Sequence, residues 1–323
     1  MKKIIILASE RSGTNLLRTL LGNHQDICAP VAPHFLDAFR YILDVYNHLE
    51  NEEDVDKLLT HMLQLANHSY HDWQLMVDIL DLKRKYKINS LATAFDALYS
   101  SKAHQENKQH YVCKDNHMFN HVDICTELED VYYLYLYRDP RDHVASWLRT
   151  PLFMHTPYKI SQKWVTEQKK VLDLEEQQKL NLIYVKYEDL IKDPQMVMTK
   201  ILESINLPID EKCFETNSNN KESNRNELWK NLSKPVMSSN QKKYKQYLNC
   251  RDLNLVETLA SEFMLKLGYE FETKANWKIR SKKLFKLKEK YITHQSQIKH
   301  KELKEKTMAD LEDKLKLIKS FQN

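Results

Sequence analysis

Glycine is nearly missing from this 323-residue chain, which has only Gly13, Gly22 and Gly268. Average usage of about 7% would supply roughly 23. That scarcity rules out a Gly-rich dinucleotide fingerprint and leaves a question at Gly13, set between Arg11, Ser12 and Thr14. Cysteine is sparse too. Cys28, Cys113, Cys125, Cys213 and Cys250 form no CxxC pair and have no metal-like spacing with histidine. An odd number of scattered thiols points to a reducing compartment and to structural cysteines, with no metal site. No apolar run reaches the 18 or more residues that cross a bilayer. The start "MKKIIILASER" has too short an apolar stretch for a secretory signal and meets Glu10 and Arg11 at once, so it reads as a strand. These absences place the protein in the cytoplasm. What is present suffices for a sizeable core, with 42% hydrophobic and 10% aromatic residues, which argues against general disorder.

Charge is unevenly spread. From Lys274 onward there are 15 basic and 6 acidic residues, although the whole chain carries only +4, so the body is net acidic. In this tail, residues 273–323, Leu284, Leu287, Tyr291 and Ile298, then Met308, Leu311, Leu315 and Ile318 recur at three- and four-residue spacings, interrupted by His294, Lys301 and Glu305. The pattern predicts a basic amphipathic helix, not a sustained heptad array. Such a helix can pack on the body or on a second copy of the chain, or lie on the inner membrane surface or an acidic acceptor. Interleaved acids and the lack of a recognised module argue against nucleic acid.

Strands and helices alternate along the body. "KKIIILAS" is a continuous apolar run of the kind buried on both faces of a parallel sheet. "NLLRTLLGNH" follows with Leu16, Leu17, Leu20 and Leu21 on one helical face and Gly22 at its end. "QHYVC", "VYYLYLYRD" and "LNLIYVKYED" are further strands, with helices such as "RDHVASWLR" and "DPQMVMTKILESI" between them. Residues 36–110 read as a helical insertion or cap. The expected fold class is α/β: a three-layer, P-loop-like fold with a central parallel sheet, a helical insertion and a C-terminal basic helix.

A buried strand, a short polar loop and an apolar helix present backbone N–H groups at a helix N-terminus, where anions are stabilised. Gly13 lets the backbone turn tightly and approach a ligand. Ser12, Thr14 and Asn15 add donors, and Arg11 adds a forked cation suited to phosphate or sulfate oxygens. An ordinary tight turn is the alternative. A Walker A loop is excluded, because its first glycine and its lysine are absent. In "YLYRDPRDHVASWLR", Arg138 ends a strand and Ser146 lies eight residues on, inside the next helix. Both belong to the carboxyl edge of the sheet, where α/β proteins bind ligands, and together they can grip one phosphate. Arg141 and Asp142 read as a surface ion pair.

These motifs resemble the sulfotransferases that use 3′-phosphoadenosine 5′-phosphosulfate (PAPS), in the bacterial, tyrosylprotein and carbohydrate branch. "RSGTNLL" looks like their 5′-phosphosulfate loop and "YRDPRDHVAS" like their 3′-phosphate motif. "YVKYEDLIKDP", with Tyr187 in a position used for the nucleotide, resembles the segment that follows. "NLSKPVMSSNQKKY" resembles the late loop over the cofactor, with Lys243 matching a phosphate-contacting lysine. "LGYEF" is similar to the end of the domain, which sets 1–272 as the sulfotransferase domain. The resemblance implies in-line transfer of a sulfuryl group from PAPS to an acceptor hydroxyl or amine, with adenosine 3′,5′-bisphosphate (PAP) as product. Negative charge grows on the bridging oxygen of the departing bisphosphate, so the site must supply cations and N–H dipoles there. Arg11 and residues 12–15 fill that role; Arg138, Ser146 and Lys243 hold the 3′-phosphate. No metal is required. The acceptor stays open among a saccharide, a glycolipid or lipid-linked glycan, peptide tyrosine and a small alcohol, and cytoplasmic placement suits a bacterial-type enzyme.

The general base is open. The family's glutamate about twenty residues past the loop arginine is replaced by "APVAPHF", where Ala32 takes its place and His34 stands two residues beyond. A Lys-Thr-His segment of the cytosolic branch resembles "VCKDNHMF", which offers Lys114 for the sulfuryl group and His117, one residue late, for the base. His34, His117 and Asp115 are the candidates; other histidines, such as His24 and His121, read as surface or capping residues. The rival readings are a nucleotide-dependent kinase or NTPase with a degenerate P-loop, and a non-catalytic PAPS-binding homologue.

Overall fold

A computed structural model of the chain describes residues 1–150, 156–178, 180–216, 233–276 and 309–322. Strand β1 (Lys3–Ala8) is buried at every position, as its unbroken apolar run demands. It pairs in parallel with β3 (His110–Cys113) on one side and β4 (Val131–Tyr137) on the other. β2 (Ile27–Cys28) flanks β3, and β5 (Leu182–Lys186) flanks β4, so the parallel order is β2-β3-β1-β4-β5. The two-residue β2 is absent from the sequence reading because it is too short to leave a period.

Helix α1 (Thr14–Gly22) joins β1 to β2. Between β2 and β3 come α2 (Phe35–Phe39), a 3-10 run (Arg40–Leu49), α3 (Glu52–Asn67), α4 (Ile79–Lys85) and α5 (Leu91–Gln105). α6 (Val122–Cys125) precedes β4; α7 (Pro140–Leu148) and α8 (Pro157–Gln178) lead to β5. Then follow α9 (Tyr187–Lys192), α10 (Pro194–Ser204), α11 (Tyr244–Tyr247) and α12 (Cys250–Lys266), and separately the C-terminal helix Ala309–Ser320. Alternation along each strand divides the core into two layers. Ile4, Ile6, Leu134 and Leu136 meet Leu17, Leu20 and Leu21 of α1 and Leu190, Met198 and Ile201 of α9 and α10. Ile5, Leu7, Tyr133 and Tyr135 meet Phe95 and Tyr99 of α5, Trp164 of α8 and Phe263 of α12. Each fully buried leucine contributes about 1.5–3 kcal/mol, so an aspartate at Leu20 would strip α1 from the sheet. Helices α3 to α5 share the second core and therefore belong to the body.

Helix α7 begins with Pro140 at its first turn and Asp139 as its cap, whose carboxylate accepts the Arg141 N–H. Here the expected surface ion pair is wrong. Arg141 and Asp142 are both buried, and they do not pair with each other. Arg141 forks onto Asp139, at 3.0 and 2.7 Å, and reaches Glu257 of α12 at 2.8 Å. Asp142 accepts the N–H groups of Lys242, at 2.6 Å, and Tyr244, at 2.9 Å. His24 and His121, read as surface or capping residues, are both buried: His24 bonds the Pro208 carbonyl, and His121, which does stand at the N-cap of α6, bonds Asp37.

In the tail, Leu284, Leu287, Tyr291, Ile298 and Met308, with the interrupting His294, Lys301 and Glu305, lie outside the described residues. The helix Ala309–Ser320 packs against α3, and the Phe321 ring just beyond it stacks on His61 and on Phe39. Among the described residues no helix is long and apolar enough to cross a membrane.

Candidate functional site

The neighbours of β1 in the sheet, β3 and β4, come from later in the chain on opposite sides, so the loop after β1 opens at the switch point where α/β sheets bind ligands. The chain turns there with two left-handed residues, Arg11 (φ 67°) and Gly13 (φ 97°). Glycine is required at the second. A Cβ on Gly13 would lie 2.4 Å from Cδ2 of Tyr187, whose ring closes over the loop. Gly13 caps α1, and its carbonyl accepts the Leu17 N–H as the helix starts.

Arg138, the first residue past β4, is buried and ties three segments together. It donates to the Arg11 carbonyl at 3.0 Å and to the Asn240 carbonyl at 3.3 Å. Its guanidinium lies 4.4 Å from the centre of the Tyr187 ring, a cation–π contact, and the Tyr187 hydroxyl accepts from the Asn240 side chain at 2.6 Å. Ser146 of α7 receives the Arg11 Nε–H at 3.4 Å. The 9–15 loop, Arg138, Ser146 and Tyr187 therefore form one constellation. Burial, with Arg138 and Arg149 close by, pushes Arg11 below its ordinary value. Among the described residues, the buried Ser12 Oγ and Arg138 Nε have no hydrogen-bond partner. Lys243 is held differently: Asp142 binds the backbone on either side of it, at Lys242 and Tyr244, and its side chain makes no hydrogen bond or ion pair among the described residues. Asp142, unnoticed in the sequence as a loop anchor, fixes this stretch from 100 residues away.

Beside the loop a cleft of about 190 Å³ opens. Glu10, Arg11, Thr14, Asn15 and Arg18 line one wall; Thr14 and Arg18 share a helix face at i,i+4. Val31, Ala32 and His34 come from the approach to α2, Lys114 and Asn116 from the end of β3, and Tyr70, Trp147 and Thr150 complete it. Lys114 donates to Asn116 Oδ1 at 3.0 Å. Burial, then the nearby Arg18, lowers it to about 8.

The candidate bases fare differently. His34 has a left-handed backbone (φ 62°), and its Nδ1 accepts the Asn116 N–H at 3.1 Å. The neutral ring then carries its proton on Nε2 and is a donor there. Burial, followed by Lys314 and Lys114, holds it well below the usual histidine range. His117 does not line the cleft. It stands 3.7 Å from Glu10 Oε2 and 3.8 Å from Asp37 Oδ2, and bonding to Asp37 and then Glu10 raises it to about 9. It is an imidazolium at neutral pH. Asp115 is buried under the cleft, accepts from the Tyr99 hydroxyl at 3.2 Å, and is raised by burial to about 6.

The carboxylate that does line the cleft is Glu10. Its Oε2 accepts from Lys163 at 2.6 Å and its Oε1 from Asn116 Nδ2 at 3.2 Å. Burial pushes its pKa up, but His117 and Lys163 outweigh that and bring it to about 2. In the sequence Glu10 reads only as the residue that stops an apolar run. Its place directly before the loop arginine was the one available signal.

A parallel α/β sheet with a tight loop and helix N-terminus at its switch point, faced by a strand-end arginine and a helix hydroxyl, is an arrangement suited to receive an anion at the carboxyl edge. The chain belongs to the sulfotransferase family, whose sequence profile matches residues 3–211. Its fold is similar to the sulfotransferase domain from the Synechococcus PCC 7002 olefin synthase, at 20% identity over 84% of this chain and 95% of that one, with a TM-score of 0.55. The sulfotransferase domain from the curacin biosynthetic pathway is similar to the same degree, at 18% identity over 84% and 98%, also with a TM-score of 0.55. A search of curated proteins finds no match. Family membership supports sulfuryl transfer as the reaction.

Proposed function

We propose that the cleft takes PAPS as sulfuryl donor, releases PAP, and passes the sulfuryl group to a hydroxyl of a saccharide, glycolipid or peptide tyrosine, with residues 1–272 as the working domain. One observation carries this reading: the 9–15 loop and the Arg138–Ser146 pair converge, joined through Arg11. A doubly phosphorylated adenosine suits the residues present. Ser12 Oγ and Arg138 Nε are buried polar atoms in want of partners, and the space a Cβ at Gly13 would need is taken by Tyr187.

The donor, when bound, supplies an activated sulfuryl group on a good leaving group; the rest falls to this chain. Residues 12–15 offer N–H groups and hydroxyls at the start of α1, and Arg11 adds a fixed cation, so negative charge is met by dipoles already in place. Arg138, Ser146 and Lys243 hold the 3′-phosphate, with Tyr187 as the surface behind them. Lys114 steadies sulfuryl oxygens at the far side of the loop. His34, protonated on Nε2 and neutral, donates a hydrogen bond into the cleft. His117 stays charged and secures the ionisation of Glu10. For the base we favour Glu10 over the histidines: it lines the cleft, is ionised at every working pH, and has lone pairs left beside those given to Lys163 and Asn116. A weak base suffices where the acceptor oxygen turns strongly acidic as its bond to sulfur forms.

Calorimetric titration with PAP and with ATP, each with and without Mg²⁺, tests the reading. Tight, metal-independent binding of the bisphosphate supports it. A preference for Mg-ATP would overturn it in favour of a kinase.

A further inference from the structure

The family match ends at residue 211, yet the C-terminal helix Ala309–Ser320 packs behind the cleft without lining it. Phe321 seats it. The ring, 2% exposed, stacks on His61 of α3 at 4.4 Å and on Phe39 of α2 at 5.6 Å. Phe39 ends the five-residue α2, and His34 caps its start, with the His34 carbonyl accepting the Ala38 N–H at 3.0 Å. Two turns before Phe321, Lys314 is also buried, and its ammonium lies 5.6 Å from the centre of the Tyr70 ring. Tyr70 meets His71 edge-on at 5.1 Å, and His71 meets His34 in the same way at 6.3 Å. Two routes therefore run from the helix to the cleft imidazole, one through α2 and one through a file of rings. A third contact is electrostatic. Asp115 Oδ2 is buried and accepts no hydrogen bond among the described residues. Burial raises Asp115 to about 6 and lowers Lys314 to about 8, and each charge draws the other back. Asp115 directly precedes Asn116, whose N–H is the one that His34 Nδ1 accepts.

We propose that the C-terminal helix is a brace for His34, with Phe321 and Lys314 as positioning residues that hold the imidazole with its Nε2–H toward the cleft. This rests on the reading of the cleft as the sulfuryl-transfer site, in which His34 donates a hydrogen bond. A side chain keeps one productive orientation only as well as the shell behind it is packed. His34 has a particular need of that shell, because its left-handed backbone (φ 62°) persists only where neighbours hold it. None of the contacts named here reaches the 9–15 loop, Arg138 or Ser146, so the brace serves the acceptor side and leaves the donor pockets alone.

The test reads His34 directly in the full chain without nucleotide, by long-range proton–nitrogen NMR of the histidine rings, with His34→Gln to assign the signal. The charged and titratable groups around the ring are Lys314, Lys114, His71, Asp37 and Asp115. In wild type the ring should stay neutral and protonated on Nε2 down to about pH 5. Phe321→Ala, which unseats the helix, should raise its titration by about one pH unit or more and mix the two neutral tautomers. Lys314→Met, which keeps the apolar stem and removes one cation, should shift the titration in the same direction with the melting temperature retained. PAP affinity, measured by calorimetry, should stay within about twofold in both variants. A His34 signal unchanged in either variant overturns the proposal, as does a loss of PAP affinity beyond that range or a wild-type ring that titrates near the ordinary 6.5. If Phe321→Ala does not fold, Lys314→Met alone decides. Failure of PAP to bind wild type strikes the donor reading instead, and the His34 signal still decides the brace.

Discussion

Replacing Gly13 with alanine probes the constellation at its tightest point. The backbone there holds φ 97°, outside the range an L side chain accepts readily, and an alanine forced into left-handed backbone costs about 1–2 kcal/mol. The new Cβ would start 2.4 Å from Tyr187 Cδ2 and 2.5 Å from Cε2. The ring must then retreat by about 1 Å to reach ordinary contact. That ring is also the face under the Arg138 guanidinium and the partner of Asn240, so its retreat disturbs both; a cation–π contact of this kind is worth about 1–2 kcal/mol when desolvated. Together these predict a loss of about 2–4 kcal/mol in PAP binding, roughly 30- to 1,000-fold in Kd. Calorimetry on folded protein measures it directly. A second arm isolates the clash: with Tyr187→Ala already made, adding Gly13→Ala should cost only the backbone strain, leaving a coupling of about 1–2 kcal/mol between the two positions. If Gly13→Ala binds PAP within threefold of wild type, or if the two changes add without coupling, the closed packing of Tyr187 over the loop is not what shapes the anion site.

Asp142→Asn leaves one acceptor oxygen where a carboxylate now takes the Lys242 and Tyr244 N–H groups; the loop bearing Lys243 should loosen, weakening PAP about tenfold while far-UV circular dichroism stays unchanged. Glu10→Gln should retain PAP binding and lower radiolabelled sulfuryl transfer by about 10²–10⁴-fold, whereas His34→Ala, losing a hydrogen-bond donor, should cost nearer tenfold; the reverse order would return the base to His34. Arg141→Met leaves the fully buried Glu257 without its cation, and a loss of about 3–5 kcal/mol in denaturant-measured stability is expected. The raised His117 adds stability that is complete below its unfolded value near 6.5 and disappears as pH rises through about 9; because a third of its side chain is exposed, the contribution is about 1–2 kcal/mol. Read as wild type minus His117→Gln, which cancels the opposite slope from the depressed Lys114 and Lys314, the melting difference should shrink across that window; a flat difference refutes the clamp.

What the sequence made legible here is what the chain builds from near neighbours. The anion loop is five consecutive residues between a buried strand and an apolar helix, and the Arg138–Ser146 spacing is a strand end plus two helical turns, so both could be read without knowing the rest of the fold. The sheet's core strands were equally plain, because burial on both faces leaves unbroken apolar runs. The chain hid what depends on partners far away. Arg141 and Asp142 look like a surface pair until Glu257, 116 residues on, and the backbone at 242–244 come to meet them. The histidines make the same point about chemistry. Their numbers, 34 and 117, suited a base, and the fold does bring both to the region of the cleft. But whether an imidazole accepts a proton is settled by what already occupies its nitrogens, and those occupants are the Asn116 N–H for His34 and two carboxylates for His117. The carboxylate pair that keeps His117 charged includes Glu10, so the same contact that holds a proton on the histidine leaves an ionised oxygen beside Arg11.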